Sequence, residues 1–199
     1  MGLDVYLYQF KDVDPDAILE LARFEEDLHN EEFRKWKAGP ESERGQYLTE
    51  KDRSETREKV LQKTHDFGLP ESVVRTCQYG GTKVSFPSKH PDYPIGEWVC
   101  IWTIRNLMQH ATGKDIYFVF PEALGDPHWL QPDWAASKQR FSDIVDQIKS
   151  MKPEEISRVI PDYSTGLDVR INQMEAMMET LDFVLAQENP KQFLFYWSS

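Results

Sequence analysis

One stretch of the sequence, GEWVCIWTIRNLMQHATG, combines large aromatic, cationic and amide side chains at helical spacing. It predicts a helix over 97–111 with an apolar face built from every third or fourth residue. Trp98 and Trp102 lie one turn apart on the other face, beside Arg105. Aromatic rings next to a guanidinium suit a planar, charged ligand such as a nucleotide. The candidate binding residues are Trp98, Trp102, Arg105, Asn106, Gln109 and His110.

The same helix also has a structural interpretation, which we favour. A helix with two bulky faces commonly packs between a sheet and a second helix, and Arg105 would then pair with an acid. No glycine-rich phosphate loop supports a nucleotide site, because Gly80-Gly81 lacks the spacing of either nucleotide-binding fingerprint. Both interpretations stay open from the sequence.

Three further residues form a candidate metal-binding set. His65 and Asp66 are adjacent, and His29 lies upstream of them. A His…His-Asp set of this kind, as in helical phosphohydrolases, holds a divalent metal that activates water. Residues 62–64 are polar where a buried site requires apolar neighbours, and strands at both ends of the chain do not suit a helical fold. Apart from this alternative, we predict no catalytic residue, no metal and no cofactor.

Asp4 lies inside the first predicted strand, MGLDVYLYQF. Apolar Val5 and Leu7 alternate there with tyrosines, so both faces of the strand carry bulk and are expected to be covered. A carboxylate in a covered strand is stable only when it is paired or hydrogen-bonded. We therefore predict a structural ion pair between Asp4 and Arg105.

The wider pattern is that of an α+β fold. Strands are predicted at 2–10, 83–86, 115–120 and 192–197. Helices are predicted at 14–36, 54–65, 97–111, 133–151 and 167–187. We expect a small, mostly antiparallel sheet that includes the N- and C-terminal strands, with about four to five helices packed on it. Adjacency of the terminal strands is one arrangement that would hold both ends in place.

Domain organisation and composition narrow the expected partners. We expect a single domain over 1–199, with a charged, mobile segment at about 40–60. The 34 acidic and 23 basic residues give a net charge of −11, which disfavours a nucleic-acid duplex as partner. The sequence shows neither a run of about 18 apolar residues nor a signal-peptide pattern. With Cys77 and Cys100 forming no disulfide framework, we expect a cytoplasmic protein without a membrane span.

The two ends of the chain resemble a group of bacteriophage and prophage proteins. These open with Met-Gly-Leu-Asp, an apolar residue and Tyr-Leu, as at 1–7 here, and end in a Phe-Tyr-x-Ser-Ser-like strand, matched loosely at 195–199. In the middle, Trp102, Arg105 and Asn106 only approximate the Trp- and Arg-rich helix of the group. The resemblance implies a phage-derived or bacterial accessory protein and supplies no activity.

Three functional hypotheses follow from these observations. The first is a non-enzymatic protein-interaction module with an unidentified protein partner. The alternative is a small-ligand, nucleotide-like binding protein that uses the Trp98, Trp102 and Arg105 side of the helix. The third is a metal-dependent phosphohydrolase that uses the histidine set. The apolar stripe along 167–187 would also suit a two-fold helix pair, so a homodimer is among the expected partners.

Overall fold

A computed structural model of the chain describes residues 4–39, 50–75, 79–90, 92–98, 101–125, 127–152, 154–155 and 166–198. The chain forms two compact units. One comprises the residues up to Gln9 together with those from Lys83 onward, and the other runs from Phe10 to Thr82. The single domain expected from the sequence stays a prediction. In the described part of the chain, no helix combines the length and the apolar character needed to cross a membrane.

A small sheet joins the two ends of the chain. Its strands are β1 (Asp4–Gln9), β2 (Thr82–Lys83), β3 (Glu97–Trp98), β4 (Trp129–Leu130) and β5 (Phe193–Ser198). Strand β1 pairs antiparallel with β5 along its whole length, and β4 lies antiparallel on the other side of β5. Strands β2 and β3 lie on the other side of β1. The α+β fold is confirmed, with both terminal strands adjacent in the sheet.

Most helices lie where the sequence predicts them. They are α1 (Pro15–Ala38), α2 (Glu50–Asp66), α3 (Trp102–Thr112), α4 (Ile116–Val119), α5 (Trp134–Ser150) and α6 (Leu167–Leu185). The carboxylates of Asp14 and Asp133 cap α1 and α5 by accepting from backbone N–H groups of the first turn. Gly113 ends α3 at φ 72°, a left-handed conformation that a Cβ would disfavour.

One face of the sheet forms the core of the larger unit. Across the β1–β5 pair, Val5 faces Trp197 and Leu7 faces Phe195, and each of these side chains is at most 5% exposed. The two-residue period of a strand puts all four on the same face. Apolar side chains of α3, α4, α5 and α6 complete this core. Burial of this apolar area is the main driving force for folding of the unit.

The predicted interior strand at 115–120 is wrong, because this run forms α4 and a 3-10 turn at Pro121–Ala123. The Asp115 carboxylate accepts from the Tyr117 N–H at 3.0 Å and so caps a helical turn. A short, continuous apolar run does not distinguish a buried strand from a buried helix by its periodicity. Here the cap determines the helix.

The predicted helix over 97–111 is wrong in its first turn. Glu97 and Trp98 pair with Tyr6 and Val5 of β1, so this part of the chain is a strand and α3 begins only at Trp102. Backbone pairing across the sheet therefore overrides the helical spacing of the apolar residues.

Three other expectations concern local segments. The predicted strand over 83–86 is shorter, with β2 ending at Lys83 and a single bridge from Phe86 to Ile95. Residues 40–49 of the predicted mobile segment lie outside the described residues, and the chain is helical from Glu50 onward. Cys77 and Cys100 also lie outside the described residues.

A buried threonine ties α6 to the sheet. The Thr180 hydroxyl, fully buried, accepts from the Gly96 N–H at 3.0 Å and from the Trp98 indole N–H at 3.1 Å. It also lies 3.2 Å from the carbonyl oxygen of Ala176, to which it donates. Two buried donors thus depend on one oxygen, and a buried donor without an acceptor is strongly unfavourable.

We predict that Thr180→Val lowers the free energy of unfolding by about 2–4 kcal/mol, because it leaves both N–H groups without an acceptor. Thr180→Ser keeps the hydroxyl and should lose only about 1 kcal/mol for the missing methyl group. Urea unfolding of the three proteins measures the difference. Equal losses for the two variants would contradict a hydrogen-bonding role for this hydroxyl.

Candidate functional site

Trp98 lies in the core and not on an exposed ligand-binding face. It is 2% exposed, and its ring centroid lies 4.6 Å from that of Phe195 and 5.8 Å from that of Phe120. Its only polar atom is bound by Thr180. Because Trp98 is on β3 and not on α3, it does not lie one helical turn before Trp102 as the predicted helix required. The side chain of Trp102 itself lies outside the described part of the structure.

Arg105 is the centre of a cluster at the α3–α4 corner. Its Nη2 donates to Oδ2 of Asp115 at 3.4 Å, and its guanidinium carbon lies 4.7 Å from the ring centroid of Tyr117. The other oxygen of Asp115 is the cap of α4. One carboxylate therefore orients both the cation and the short helix that carries the ring, and the stacked geometry adds a cation–π attraction.

The structure gives Arg105 a different partner from the Asp4 that we expected. The Asp4 carboxylate instead accepts from the Tyr6 hydroxyl at 3.5 Å. Alternation along β1 puts Asp4 and Tyr6 on the face opposite to Val5, whereas the apolar side of α3 packs against the Val5 face. The two charged groups are thus on different sides of the sheet.

Next to the Arg105 cluster lies a second pair of a cation and an aromatic ring. The Lys114 ammonium lies 4.5 Å from the ring centroid of Phe118, and this ring is 43% exposed. The exposed side of α3 continues the same region. We call this region the α3–α4 surface, and its residues are Arg105, Asn106, Gln109, His110, Lys114, Asp115, Tyr117 and Phe118.

The α3–α4 surface differs in charge from the chain as a whole. It holds two cations, Arg105 and Lys114, and one carboxylate, Asp115, whereas the chain has a net charge of −11. The surface is therefore a locally positive, partly aromatic region on an acidic protein.

The other face of the sheet carries a cation that is already paired. The Lys83 ammonium lies 4.0 Å from the Tyr6 ring centroid and 3.0 Å from a carboxylate oxygen of Glu97. The Lys83 charge therefore interacts with the Tyr6 ring and with the Glu97 carboxylate, both within the sheet. We interpret this cluster as structural, and we regard it as less suited to binding a partner than the α3–α4 surface.

The histidine set proposed for a metal is not assembled. His65 Nε2 lies 3.2 Å from Glu71, and the Asp66 carboxylate accepts from Gln62 at 3.1 Å, so both residues use neighbours in the chain. His29 is exposed on α1. Within the described ranges, no group of three or more His, Cys, Asp or Glu residues is arranged to hold a metal ion. The phosphohydrolase hypothesis therefore has no assembled ligand set among the residues that the structure describes.

Lys114, Tyr117 and Phe118 were not among the predicted site residues, because the sequence pattern at 115–120 indicated an interior strand. A signal was present in Asp115, a residue type typical of a helix N-cap that stands directly before the apolar run.

Comparisons of the chain with protein-family models, with curated proteins and with solved structures find no significant match. The α3–α4 surface is therefore interpreted from its own geometry.

We predict that a double-mutant cycle between Arg105→Ala and Asp115→Asn gives a coupling energy of about 0.5–1 kcal/mol, because the pair is partly shielded from water. Asp115→Asn keeps an oxygen that can cap α4, so the cycle isolates the ion pair. The matched cycle between Arg105→Ala and Asp4→Asn should give no coupling. Urea unfolding measures both, and a larger coupling to Asp4 would contradict this assignment.

Proposed function

We propose that this protein is a non-enzymatic interaction module, of phage or bacterial origin, that binds a partner protein in the cytoplasm through the α3–α4 surface. The observation that carries the proposal is the exposed Phe118 ring with Lys114 against it, directly beside the Arg105–Tyr117 stack. The resemblance of the chain ends to phage and prophage proteins supports the proposed origin.

The residue types of the α3–α4 surface support a protein partner. Tyr, Phe and Arg are enriched in protein interfaces, and Tyr and Arg are frequent among the residues that dominate binding energy. The Arg105 guanidinium is held by Asp115 and lies over the Tyr117 ring, so these side chains lose little conformational freedom when a partner binds. Such preorganisation makes the surface suited to binding without a large entropic penalty.

The charge distribution supports a partner segment that is acidic and carries an apolar side chain. Most of a protein of net charge −11 repels an acidic partner, whereas the α3–α4 surface attracts one. Phe118 offers the apolar contact, and Lys114 and Arg105 offer the charges. The same distribution would orient the partner during encounter.

The ligand-binding alternative has weaker support. It requires two stacked tryptophan faces, and burial of Trp98 in the core removes one of them. No arrangement of histidines supports the hydrolase within the described residues. The partner-binding hypothesis requires only the residues of the α3–α4 surface in the positions that the structure shows.

We predict that p-benzoylphenylalanine at position 118 forms a discrete photo-crosslinked adduct in bacterial host lysate, whereas the same residue at position 86 does not. Phe86 is a matched control because it is 49% exposed, against 43% for Phe118. Excess unlabelled wild-type protein should suppress the adduct, and an Arg105→Glu/Lys114→Glu competitor should not. Identical adducts at both positions, or none at 118, would contradict the proposal.

Two outcomes separate the other hypotheses. An adduct of twice the chain mass identifies a second copy as the partner. A nucleotide that raises the melting temperature of the wild type but not of Arg105→Ala would favour the ligand-binding alternative, because a ligand that binds only the folded state stabilises it.

A further inference from the structure

The segment between β2 and β3 lies along helix α6. We call residues 84–90 and 92–96 the strap. Its two limbs are joined by a pair of backbone hydrogen bonds, from Phe86 N–H to the Ile95 oxygen at 3.3 Å and from Ile95 N–H to the Phe86 oxygen at 2.8 Å. The strap therefore has a narrow, paired base and a tip around residues 88–90.

The strap is held to one face of α6. Its contacts fall at Glu175, Glu179, Thr180 and Phe183. Glu175, Glu179 and Phe183 recur every four residues and so lie along one side of the helix, and Thr180 borders them, three residues before Phe183. They are made by His90, by the backbone of Lys89, by Gly96 and by the Phe86 ring, whose centroid is 5.4 Å from that of Phe183.

The two ends of the strap are held by different kinds of contact. At the base, Gly96 binds the buried hydroxyl of Thr180, and its φ of 85° with the Val84 carbonyl against it leaves no room for a side chain. At the tip, His90 and Glu175 keep 22% and 32% of their side-chain area exposed. Exposed polar contacts open at lower free energy than buried ones, so the tip is the part that opens first.

The tip contact is an ion pair whose charge depends on pH. His90 Nε2 lies 3.2 Å from Oε2 of Glu175, and Oε1 of the same carboxylate accepts from Lys149 of α5. The Lys149 hydrogen bond, with a smaller effect of His90, lowers the pKa of Glu175 below its usual value of 4.5, so this carboxylate stays charged wherever a histidine titrates. Glu175 contacts His90 directly, Lys149 contacts the same carboxylate, and Glu179 accepts from the backbone N–H of the neighbouring Lys89.

We propose that the strap is a pH-sensitive latch on α6, closed when His90 is protonated and loosened when it is neutral. Histidine changes charge between about pH 5 and 8, whereas Glu175 remains an anion over that range. The attraction that holds the tip is thus present at the acidic end and is lost as pH rises. Loosening releases the tip from Glu175 and Glu179 of α6, whereas Phe86 stays against Phe183 at the paired base.

The Lys149–Glu175 ion pair confines the effect of His90 protonation to the strap. Lys149 binds Glu175 from α5 at every pH considered, so the carboxylate keeps its position when His90 loses its proton. The α5–α6 packing therefore does not change with the latch. Only the contact between the tip and α6 responds.

Hydrogen exchange, corrected for the intrinsic pH dependence of the chemistry, tests the latch. In the wild type, the amide of Lys89 at the tip should be about two- to fivefold more protected at pH 5.5 than at pH 8, as expected for a partly exposed ion pair, whereas the amides of Phe86 and Ile95 at the base should show no such difference. In His90→Gln and in Glu175→Gln the difference at Lys89 should disappear. Core amides of α5 serve as the reference for global opening.

The matched control is Lys138→Gln, which removes the other ion pair between α5 and α6, formed with Asp182. This variant should keep the pH dependence of the strap. Equal protection at both pH values in the wild type would overturn the proposal, as would a pH dependence retained in His90→Gln. A change that appears equally in the α5 reference amides would also overturn it, because it would report global stability.

Discussion

The antiparallel pairing of β1 with β5 is the constraint on which the larger unit depends. It brings together residues from opposite ends of the chain, so it closes a loop that contains nearly all of the unit. Closing so long a loop is entropically unfavourable, and local hydrogen bonds cannot compensate for it alone. The compensation comes from one continuous apolar face, on which Val5 and Leu7 meet Trp197 and Phe195 with the helices behind them.

That pairing also decides which side chains are available for binding. Once β1 is in the sheet, Glu97 and Trp98 pair with its other edge, and the Trp98 ring enters the core. The chain can begin α3 only after this strand, and the exposed side of the helix then carries Arg105 and its polar neighbours. Trp98, which the sequence offered as a ligand-binding residue, is therefore a structural residue whose indole N–H donates to the Thr180 hydroxyl.

The α3–α4 surface and the strap are both additions to this scaffold, and they differ in rigidity. Asp115 orders the α3–α4 surface by accepting two hydrogen bonds, one from the Arg105 guanidinium and one from the Tyr117 backbone N–H in the first turn of α4. The tip of the strap depends on an ion pair that is partly open to water. A preorganised surface suits recognition, whereas a weakly held segment suits a response to conditions. The two features do not share residues and can be varied independently.

The sequence by itself determined the elements whose signals are local. Asp14 and Asp133 mark helix starts because their carboxylates bind N–H groups within the same turn, and the alternation of Val5 and Leu7 marks a two-faced strand. Tertiary structure decided the elements whose apolar runs fit two periods. The apolar run at Ile116 to Val119 fits either period and became helical behind the Asp115 cap, and Trp98 became a strand residue paired with Val5. The partner of Arg105 was also decided there, because an ion pair depends on distances that linear spacing does not contain.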